Sequence, residues 1–219
     1  MKEIEIIRNQ IEEYKAKGLS LFATSSFQTH SIPLLHILSI IDNSIPVYYL
    51  NTGYLFPETL RFKDSLSDLL GLNFYALTPL VPKSQQRDSK GQLFFTSDPD
   101  YCCYLNKTQP MEPILQSYGV WINGIRADQN ANRAKMKREE KTPQGALRYH
   151  PMLDWTSKDI YEYRKKYALP AHPMEKLGYL SIGCEPCTRK LLDGKDERNA
   201  RWFGMNKIEC GLHTDLITK

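Results

Sequence analysis

The chain has 219 residues, enough to bury one substantial core, and this length is typical of a single α/β domain. It carries 29 Lys and Arg against 25 Asp and Glu, a net charge of +4. That charge suits an anionic ligand but is too mild for a protein that binds nucleic acid through bulk charge, so we expect no nucleic-acid partner.

The N-terminal segment, MKEIEIIRNQIEEY, is charged throughout and therefore does not resemble a signal peptide. No apolar run approaches the roughly 18 residues of a membrane span. We therefore expect a cytoplasmic protein without a membrane partner. Disulfides are rare in a reducing compartment, so the five cysteines are better explained as metal ligands and reactive groups.

Strand and helix patterns alternate along the first 123 residues. Apolar residues at helical spacing predict helices at 3–17, 32–41, 57–70 and 111–118. Short apolar runs predict strands at 19–24, 46–50, 73–77 and 120–123. This order predicts an α/β fold: an open, mainly parallel, twisted sheet with helices on both faces. Its ligands should lie beyond the carboxyl ends of the strands, where the polar loops 24–31 and 51–56 meet.

The alternation stops after Asn123. Residues 126–150 are basic and poor in apolar side chains, which predicts a mobile loop over the site. Residues 193–219 have the composition of an irregular, mobile tail. The expected organisation is a ligand-binding α/β domain over 1–192, which contains the clustered cysteines, and a C-terminal catalytic tail over 193–219.

The cysteines form an adjacent pair, a CxxC and a singlet: Cys102, Cys103, Cys184, Cys187 and Cys210. Four thiolates in two close-set groups are what zinc or an iron-sulfur cluster requires. Side chains of neighbouring residues in a strand diverge, so the adjacent pair can face one metal only at a bend or a helix start. The spacing leaves zinc, a cluster and buried free cysteines as alternatives.

Two further patterns favour an anionic ligand and a nucleophile. The loop ATSSFQTHS, at 23–31, lies between a strand and a helix, where hydroxyls and backbone N–H groups can hold phosphate or sulfate; simple turn and capping chemistry is the alternative. Cys210 is surrounded in the sequence by cationic side chains, which favour a reactive thiolate. They are Arg198, Arg201, Lys207 and His213.

Six segments together resemble the adenylylsulfate and phosphoadenylylsulfate reductase family, over about residues 20–213. They are SSFQTHS, YLNTGYLFPET, CCYLNK, WINGIRADQNANR, the run from HPMLDW to GCEPCT, and RWFGMNKIECGLH. The resemblance implies an adenine nucleotide alpha hydrolase-like fold akin to the ATP pyrophosphatases. It also implies assimilatory reduction of a sulfonucleotide to sulfite and AMP, with thioredoxin or a glutaredoxin-like protein as reductant.

Members with both the cysteine pair and the CxxC resemble the iron-sulfur branch, which usually acts on adenosine 5′-phosphosulfate (APS). For this chain the resemblance implies a [4Fe-4S] cluster on Cys102, Cys103, Cys184 and Cys187, and Cys210 as the nucleophile. Substrate binding is implied for Ser25, Ser26, Phe27, Leu50, Lys107, Gly124, Arg126, Arg133, Arg198, Arg201 and His213. With four of five cysteines on the cluster, no resolving thiol remains, so an external thiol must release sulfite.

Four residues depart from the pattern of the family that the chain resembles: Gln28 replaces a glycine or serine, Asn51 an Asp, Asn106 an Arg, and Ala127 the second Arg of a pair. They leave open the 3′-phosphorylated substrate (PAPS) or dual specificity. An adenylating ATP pyrophosphatase is a weaker alternative because the first loop lacks an SGGxDS signature. A non-enzymatic metal-binding redox sensor is another, and a homo-oligomer is compatible with the sequence.

Overall fold

The strands and helices follow the predicted alternation through residue 122. A computed structural model describes residues 2–191, 200–202, 205, 207, 209–213 and 216. Its strands are β1 Leu21–Thr24, β2 Val47–Leu50, β3 Phe74–Leu77, β4 Val120–Ile122, β5 Glu139–Lys141 and β6 Leu147–Tyr149. Its helices are α1 Lys2–Ala16, α2 Ile32–Ile41, α3 Pro57–Leu70, α4 Phe94–Ser97, α5 Pro99–Cys103, α6 Gln109–Ser117 and α7 Ser157–Lys166. In these described ranges no helix is long and apolar enough to cross a membrane.

One six-stranded sheet, in the order β3-β2-β1-β4-β6-β5, organises the fold. All neighbours are parallel except β5 and β6, which run antiparallel. Central strand β1 pairs on both sides, with Ala23 opposite Val47 of β2 and Ile122 of β4. The predicted open, mainly parallel sheet is confirmed, and its parallel strands direct their carboxyl ends to one rim.

Helices cover the two faces of the sheet unequally. Helices α1, α2, α3 and α7 share one core cluster with residues of β1, β2 and β4 that point to the same side. On the other face, Met111 and Leu115 of α6 pack against Phe22 and Trp121. Leu216, near the C-terminus, is 1% exposed and belongs to this second cluster.

The prediction of a mobile loop over 126–150 is wrong. This segment supplies β5 and β6, and β6 extends the parallel sheet beside β4. Each strand has three residues, and both sequences, EEK and LRY, are too short and polar to show an apolar alternation. Arg148 is nonetheless fully buried, and its guanidinium carbon lies 4.6 Å from the ring centre of Trp121, a cation–π contact that offsets part of the cost of burying its charge.

The adjacent cysteines lie in a helical segment that the sequence patterns did not predict as a helix. Asp98 caps α5 by accepting the backbone N–H of Tyr101 at 2.9 Å. A π-helical turn over Tyr104–Thr108 then connects α5 to α6 and buries Asn106 and Lys107. We expected the adjacent pair at a bend or a helix start; Cys102 and Cys103 are the last two residues of the five-residue α5, just before the π-helical turn.

The predicted boundary at 192/193 lies outside the described residues, as does most of the predicted tail. The described tail positions Ala200, Trp202 and Glu209 are each less than 5% exposed. An isolated β-bridge joins Arg201 to Thr188, just after the CxxC. These described positions therefore pack against the α/β body beside the cysteines.

Candidate active site

The carboxyl ends of β1, β2 and β4 open into a cavity of about 360 Å³. It is lined by the predicted residues Ser25, Ser26, Phe27, Leu50, Lys107, Gly124, Arg126, Arg133, Arg201 and Cys210. Arg198 lies outside the described residues. For His213 only the backbone is described, in the short turn Gly211–His213. The structure thus brings together residues that are far apart in the sequence.

The loop after β1 is shaped by hydroxyl contacts and one left-handed residue. Phe27 has φ of 55°, and its backbone N–H donates to Ser25 Oγ at 3.1 Å. The Phe27 ring is buried against Tyr49 and Phe74. A non-glycine residue at positive φ costs free energy and persists where its surroundings hold it, commonly at ligand sites. The buried ring fixes the loop and leaves Ser26 on the cavity wall.

Gln28 connects this loop to the second cysteine segment. Its Oε1 accepts the backbone N–H of Ile182 at 3.0 Å, two residues before Cys184. A glycine or serine here could not make this bond, because neither side chain reaches as far. The glutamine at position 28 therefore adds a hydrogen bond that links the first loop to the CxxC segment.

The cavity arginines are held by protein partners. Arg126, 2% exposed, donates from Nε to Asp128 Oδ1 at 2.9 Å and from Nη2 to Ser157 Oγ at 2.9 Å. Its Nη1 is buried and has no partner among the described residues. Arg133 forms a buried ion pair with Glu209, with 3.0 Å between Nε and Oε2. Only part of each guanidinium is therefore available to an anion.

Arg201 joins the tail to the CxxC turn. Its Nη1 donates to the carbonyl of Ile182 at 3.2 Å and its Nε to that of Cys187 at 3.3 Å. The guanidinium lies against Gly183 so closely that a Cβ there would overlap it. Glycine is required at position 183 for this contact. Arg201 lines the cavity, but the hydrogen bonds described for it go to backbone carbonyls and connect the tail to the CxxC turn.

The other four cysteines surround a second, smaller cavity, together with Tyr54, Asn106 and Lys107. Cys102, Cys103, Cys184 and Cys187 are each at most 9% exposed. Burial, with the neighbouring cysteines, raises the pKa of Cys102 to about 12. Burial likewise raises the pKa values of Cys103 and Cys187. Buried thiols grouped in this way are typical of a site that a metal deprotonates on binding.

Polar groups around the cysteines point to a ligand at this smaller cavity. Thr52 Oγ1 lies 3.3 Å from Cys184 Sγ, and Asn106 Nδ2 lies 3.6 Å from Cys102 Sγ. The Tyr54 hydroxyl is buried and, within the part of the chain that is described, has no partner. In the same part of the chain, no three His, Cys, Asp or Glu side chains are arranged to hold a single metal ion. The thiols and the unpaired hydroxyl together form a donor set of the kind that soft metals bind.

Lys107 lies between the two cavities and lines both. Burial alone would lower its pKa, but the nearby sulfurs of Cys210, Cys184 and Cys103, when ionised, outweigh burial and raise the pKa above the ordinary lysine value. A buried ammonium at this position favours negative charge on the thiols on either side.

Cys210 is half-buried and lines the larger cavity. Its backbone N–H donates to Glu209 Oε1 at 2.9 Å. The ammonium of Lys207, which is ion-paired with Asp100, interacts electrostatically with both Cys210 and Cys103. The thiol therefore lies on the cavity wall close to cationic groups, in the surroundings that the sequence predicted for it.

Thr52, Asn123 and Glu209 are among the residues at these sites that the sequence did not single out. Each lies within a segment that was recognised: Thr52 is in the loop after β2, Asn123 directly follows β4 and Glu209 precedes Cys210. Polar residues that directly follow a buried strand were the available signal for the first two. The burial of Glu209 had no sequence signal.

Comparisons with known proteins agree with this geometry. Residues 20–190 match the family described as phosphoadenosine phosphosulfate reductase domain. An adenosine 5′-phosphosulfate reductase from Chelativorans sp. (strain BNC1) is 35% identical, over 95% of this chain and 84% of that protein. A phosphoadenosine 5′-phosphosulfate reductase from Alkalilimnicola ehrlichii is 34% identical, over 98% and 92%. The crystal structure of phosphoadenylyl-sulfate reductase from Candida auris shares the fold, with a TM-score of 0.68 at 18% identity over 84% and 88% of the two chains.

Proposed function

The chain belongs to the phosphoadenosine phosphosulfate reductase family, and we propose that it reduces APS to sulfite and AMP with a thioredoxin-like dithiol as electron donor. The observation that carries this proposal is the position of Cys210. Its thiol lines the same cavity as the serine loop and the arginines, close to two lysine ammonium groups. A nucleophile among cations is what transfer of an anionic sulfuryl group requires.

The nucleotide binds across the carboxyl ends of β1, β2 and β4 in this proposal. Ser25, Ser26 and the backbone of the first loop hold the phosphate near the start of α2. Leu50 and Gly124 contact the adenine. The sulfate group then points toward Cys210, where Lys107 and the unpaired Nη1 of Arg126 balance its charge. Arg198 and His213 complete the proposed anion contacts.

The reaction proceeds in two displacements. The Cys210 thiolate attacks the sulfate sulfur, the bond from sulfur to the bridging phosphate oxygen breaks, and AMP leaves with the electron pair. Cys210 then carries an S-sulfonate. A thiolate of the external dithiol attacks Cys210 Sγ and sulfite leaves with the S–S electron pair. The second thiol of the dithiol resolves the mixed disulfide and restores the Cys210 thiol.

The four buried cysteines hold a [4Fe-4S] cluster in this proposal. Their donor set and the unpaired Tyr54 hydroxyl support it. In a cluster the thiolates bind different iron atoms, whereas zinc needs all of them about 2.3 Å from one point. Iron, sulfide and zinc contents of the purified protein distinguish the two. When bound, the cluster would keep its four thiols deprotonated and join the two cysteine segments.

Two cysteine variants test the reaction and the cluster separately. Cys210→Ser should retain iron and sulfide and bind AMP, yet lose sulfite formation by several orders of magnitude, about the loss expected for a nucleophile. Cys184→Ser should instead lose iron and sulfide. Wild-type protein incubated with APS and no reductant should gain one SO₃ group on Cys210, and thioredoxin should remove it. Sulfite formation by Cys210→Ser at the wild-type rate would refute the mechanism.

PAPS is the second candidate substrate, because relatives named for either compound match this chain at nearly equal identity. Sulfite release should be compared with each compound at equal concentration, with and without thioredoxin. A higher kcat/KM for APS than for PAPS supports the proposal. A higher kcat/KM for PAPS would make PAPS the substrate, and the proposed attack by Cys210 would be unchanged.

A further inference from the structure

Asn123 has an unusual environment for a buried amide. It directly follows β4, its side chain is 3% exposed, and it lines the larger cavity. Neither Nδ2 nor Oδ1 has a hydrogen-bond partner among the described residues. Leaving a buried donor or acceptor unpaired is costly, so native structures rarely do it without another reason.

The position of the amide relates it to the proposed nucleotide. Alternation along the strand puts Asn123 on the same face as Trp121, whose Nε1 donates to Thr24 Oγ1 at 2.8 Å. The register of β1 and β4 puts Thr24 opposite Asn123, at the rim between β2 and β4. Asn123 also directly precedes Gly124, which the proposed function puts at the adenine.

A carboxamide with both atoms unpaired offers one donor and one acceptor side by side. Two parts of a nucleoside match it: the adenine edge, with an amino group beside a ring nitrogen, and the vicinal hydroxyls of the ribose. A phosphate matches less well, because it has acceptors only and would leave Oδ1 unpaired.

From this geometry we infer that Asn123 is a substrate-binding residue whose carboxamide makes a paired hydrogen bond to the nucleoside of the sulfonucleotide. The inference rests on the proposed function, since it takes the ligand to be an adenine nucleotide. Asn123 recognises the nucleoside and takes no part in the transfer of the sulfuryl group.

Binding of three nucleotides to the metal-loaded full-length protein tests the inference without relying on catalysis. AMP offers all the groups, IMP replaces the amino group of the base, and 2′-deoxy-AMP lacks one ribose hydroxyl. Dissociation constants should be measured by calorimetry for wild type, Asn123→Leu and Asn123→Ala. Asn73→Ala is the matched control because Asn73 is exposed and lies outside the cavity.

Wild type should bind AMP about 10- to 100-fold more tightly than one of the two analogues, as expected when a buried polar group loses its partner. Asn123→Leu should weaken AMP binding by a similar factor and leave that analogue nearly unaffected, so the discrimination disappears. Loss of discrimination against IMP places the amide at the base, and loss against 2′-deoxy-AMP places it at the ribose. Asn123→Leu should also raise the unfolding temperature of the ligand-free protein, because it removes two unpaired buried groups.

Equal weakening of all three nucleotides, or unchanged binding, in a variant that still folds would overturn the inference. If the wild-type protein nevertheless makes sulfite from APS, the proposed function remains supported and only the role of Asn123 is refuted. A wild type that binds none of the nucleotides and forms no sulfite would overturn both.

Discussion

Glu209 places a carboxylate on the wall of a cavity that is otherwise suited to anions. It is 4% exposed and accepts hydrogen bonds from Arg133 Nε at 3.0 Å and Asn130 Nδ2 at 2.7 Å. Its other oxygen accepts the backbone N–H of Cys210 at 2.9 Å. The residue before the proposed nucleophile is thus anchored to the segment after β4. Removing one partner of such a buried pair typically costs about 3–5 kcal/mol.

We expect Glu209 to be a positioning residue for Cys210. Glu209→Gln keeps an acceptor for the Cys210 N–H but loses the charge that holds Arg133. Formation of the Cys210 S-sulfonate should slow by about 10- to 100-fold, because small misplacements of a nucleophile have effects of this size. AMP affinity should stay equal or increase, since Arg133 gains freedom to bind an anion.

Single-turnover mass spectrometry would measure adduct formation, and calorimetry would measure AMP binding. Glu162→Gln is the control because Glu162 is exposed on α7, and its ion pair with Lys158 contributes little to stability. A Glu209→Gln protein that forms the adduct at the wild-type rate would show that the ion pair does not position the nucleophile.

At the level of single residues, the sequence predicted which side chains line the cavity better than it predicted their partners. Ser26, Leu50 and Cys210 lie on the cavity wall as expected, because motifs place them at strand ends or in the tail. The bonds of Arg201 to two backbone carbonyls depend on a close approach at Gly183. No pattern in the sequence encodes that tertiary contact.

The π-helical turn between α5 and α6 is the element that organises the cysteine site. It places Asn106 and Lys107 under the adjacent cysteines, and such turns often occur at functional sites. Asn106 and Gln86 form a reciprocal amide pair, at 2.6 Å and 3.0 Å. Asn106 also donates to the carbonyl of Cys102 at 2.8 Å. A neutral pair thus occupies the position where the family pattern has arginine.

Disrupting the amide pair should loosen the turn and weaken retention of iron. Asn106→Ala or Gln86→Ala should each lower the free energy of unfolding by about 1–3 kcal/mol, because the other buried amide loses a partner. The double variant should cost less than the sum of the two single variants, since the residues form one interaction. Denaturant unfolding and iron content per chain would measure these effects.

Gln85→Ala is the control for these variants, as Gln85 adjoins Gln86 but is exposed. If the two single effects are additive, the amide pair is not a coupled unit.

Among the elements, predictions succeeded where apolar periodicity was strong. Helices α2 and α3 have the predicted bounds because an apolar face or a proline start marks each one. Strand β6 was missed because one of its two buried residues, Arg148, is a cation, which stacks on Trp121. The sequence does not distinguish a buried arginine from an exposed one, so the composition of residues 126–150 predicted a loop.

For the whole molecule, the sheet brings distant segments to one rim while the tail completes the site. The parallel order and the rim position of two polar loops followed from the alternation of strands and helices. The burial of Ala200, Trp202 and Leu216 could not be predicted, because these three residues are not spaced at the period of a helix or a strand. These described tail residues pack on surfaces that distant segments of the chain form together.

Two buried histidines should make the stability of the whole fold depend on pH. Burial lowers the pKa values of His150 and His172 to about 4 each. His172 is held neutral, because its Nδ1 accepts the backbone N–H of Met174 at 3.2 Å while Nε2 lies 3.0 Å from Thr59 Oγ1. In the unfolded chain both should titrate near the ordinary histidine value of about 6.5.

Between pH 6.5 and 4 the unfolded chain therefore binds more protons than the folded protein. The free energy of unfolding should be at its full value above pH 6.5 and fall as the pH decreases toward 4, with His150 alone contributing up to about 3 kcal/mol. Urea unfolding at pH 7.5, 6 and 5 would measure the slope before most carboxylates titrate. His150→Gln and His172→Asn should each flatten it, at a cost in stability at pH 7.5. A wild-type unfolding free energy that is constant from pH 7.5 to 5 would contradict the prediction, because neutral buried imidazoles require the slope.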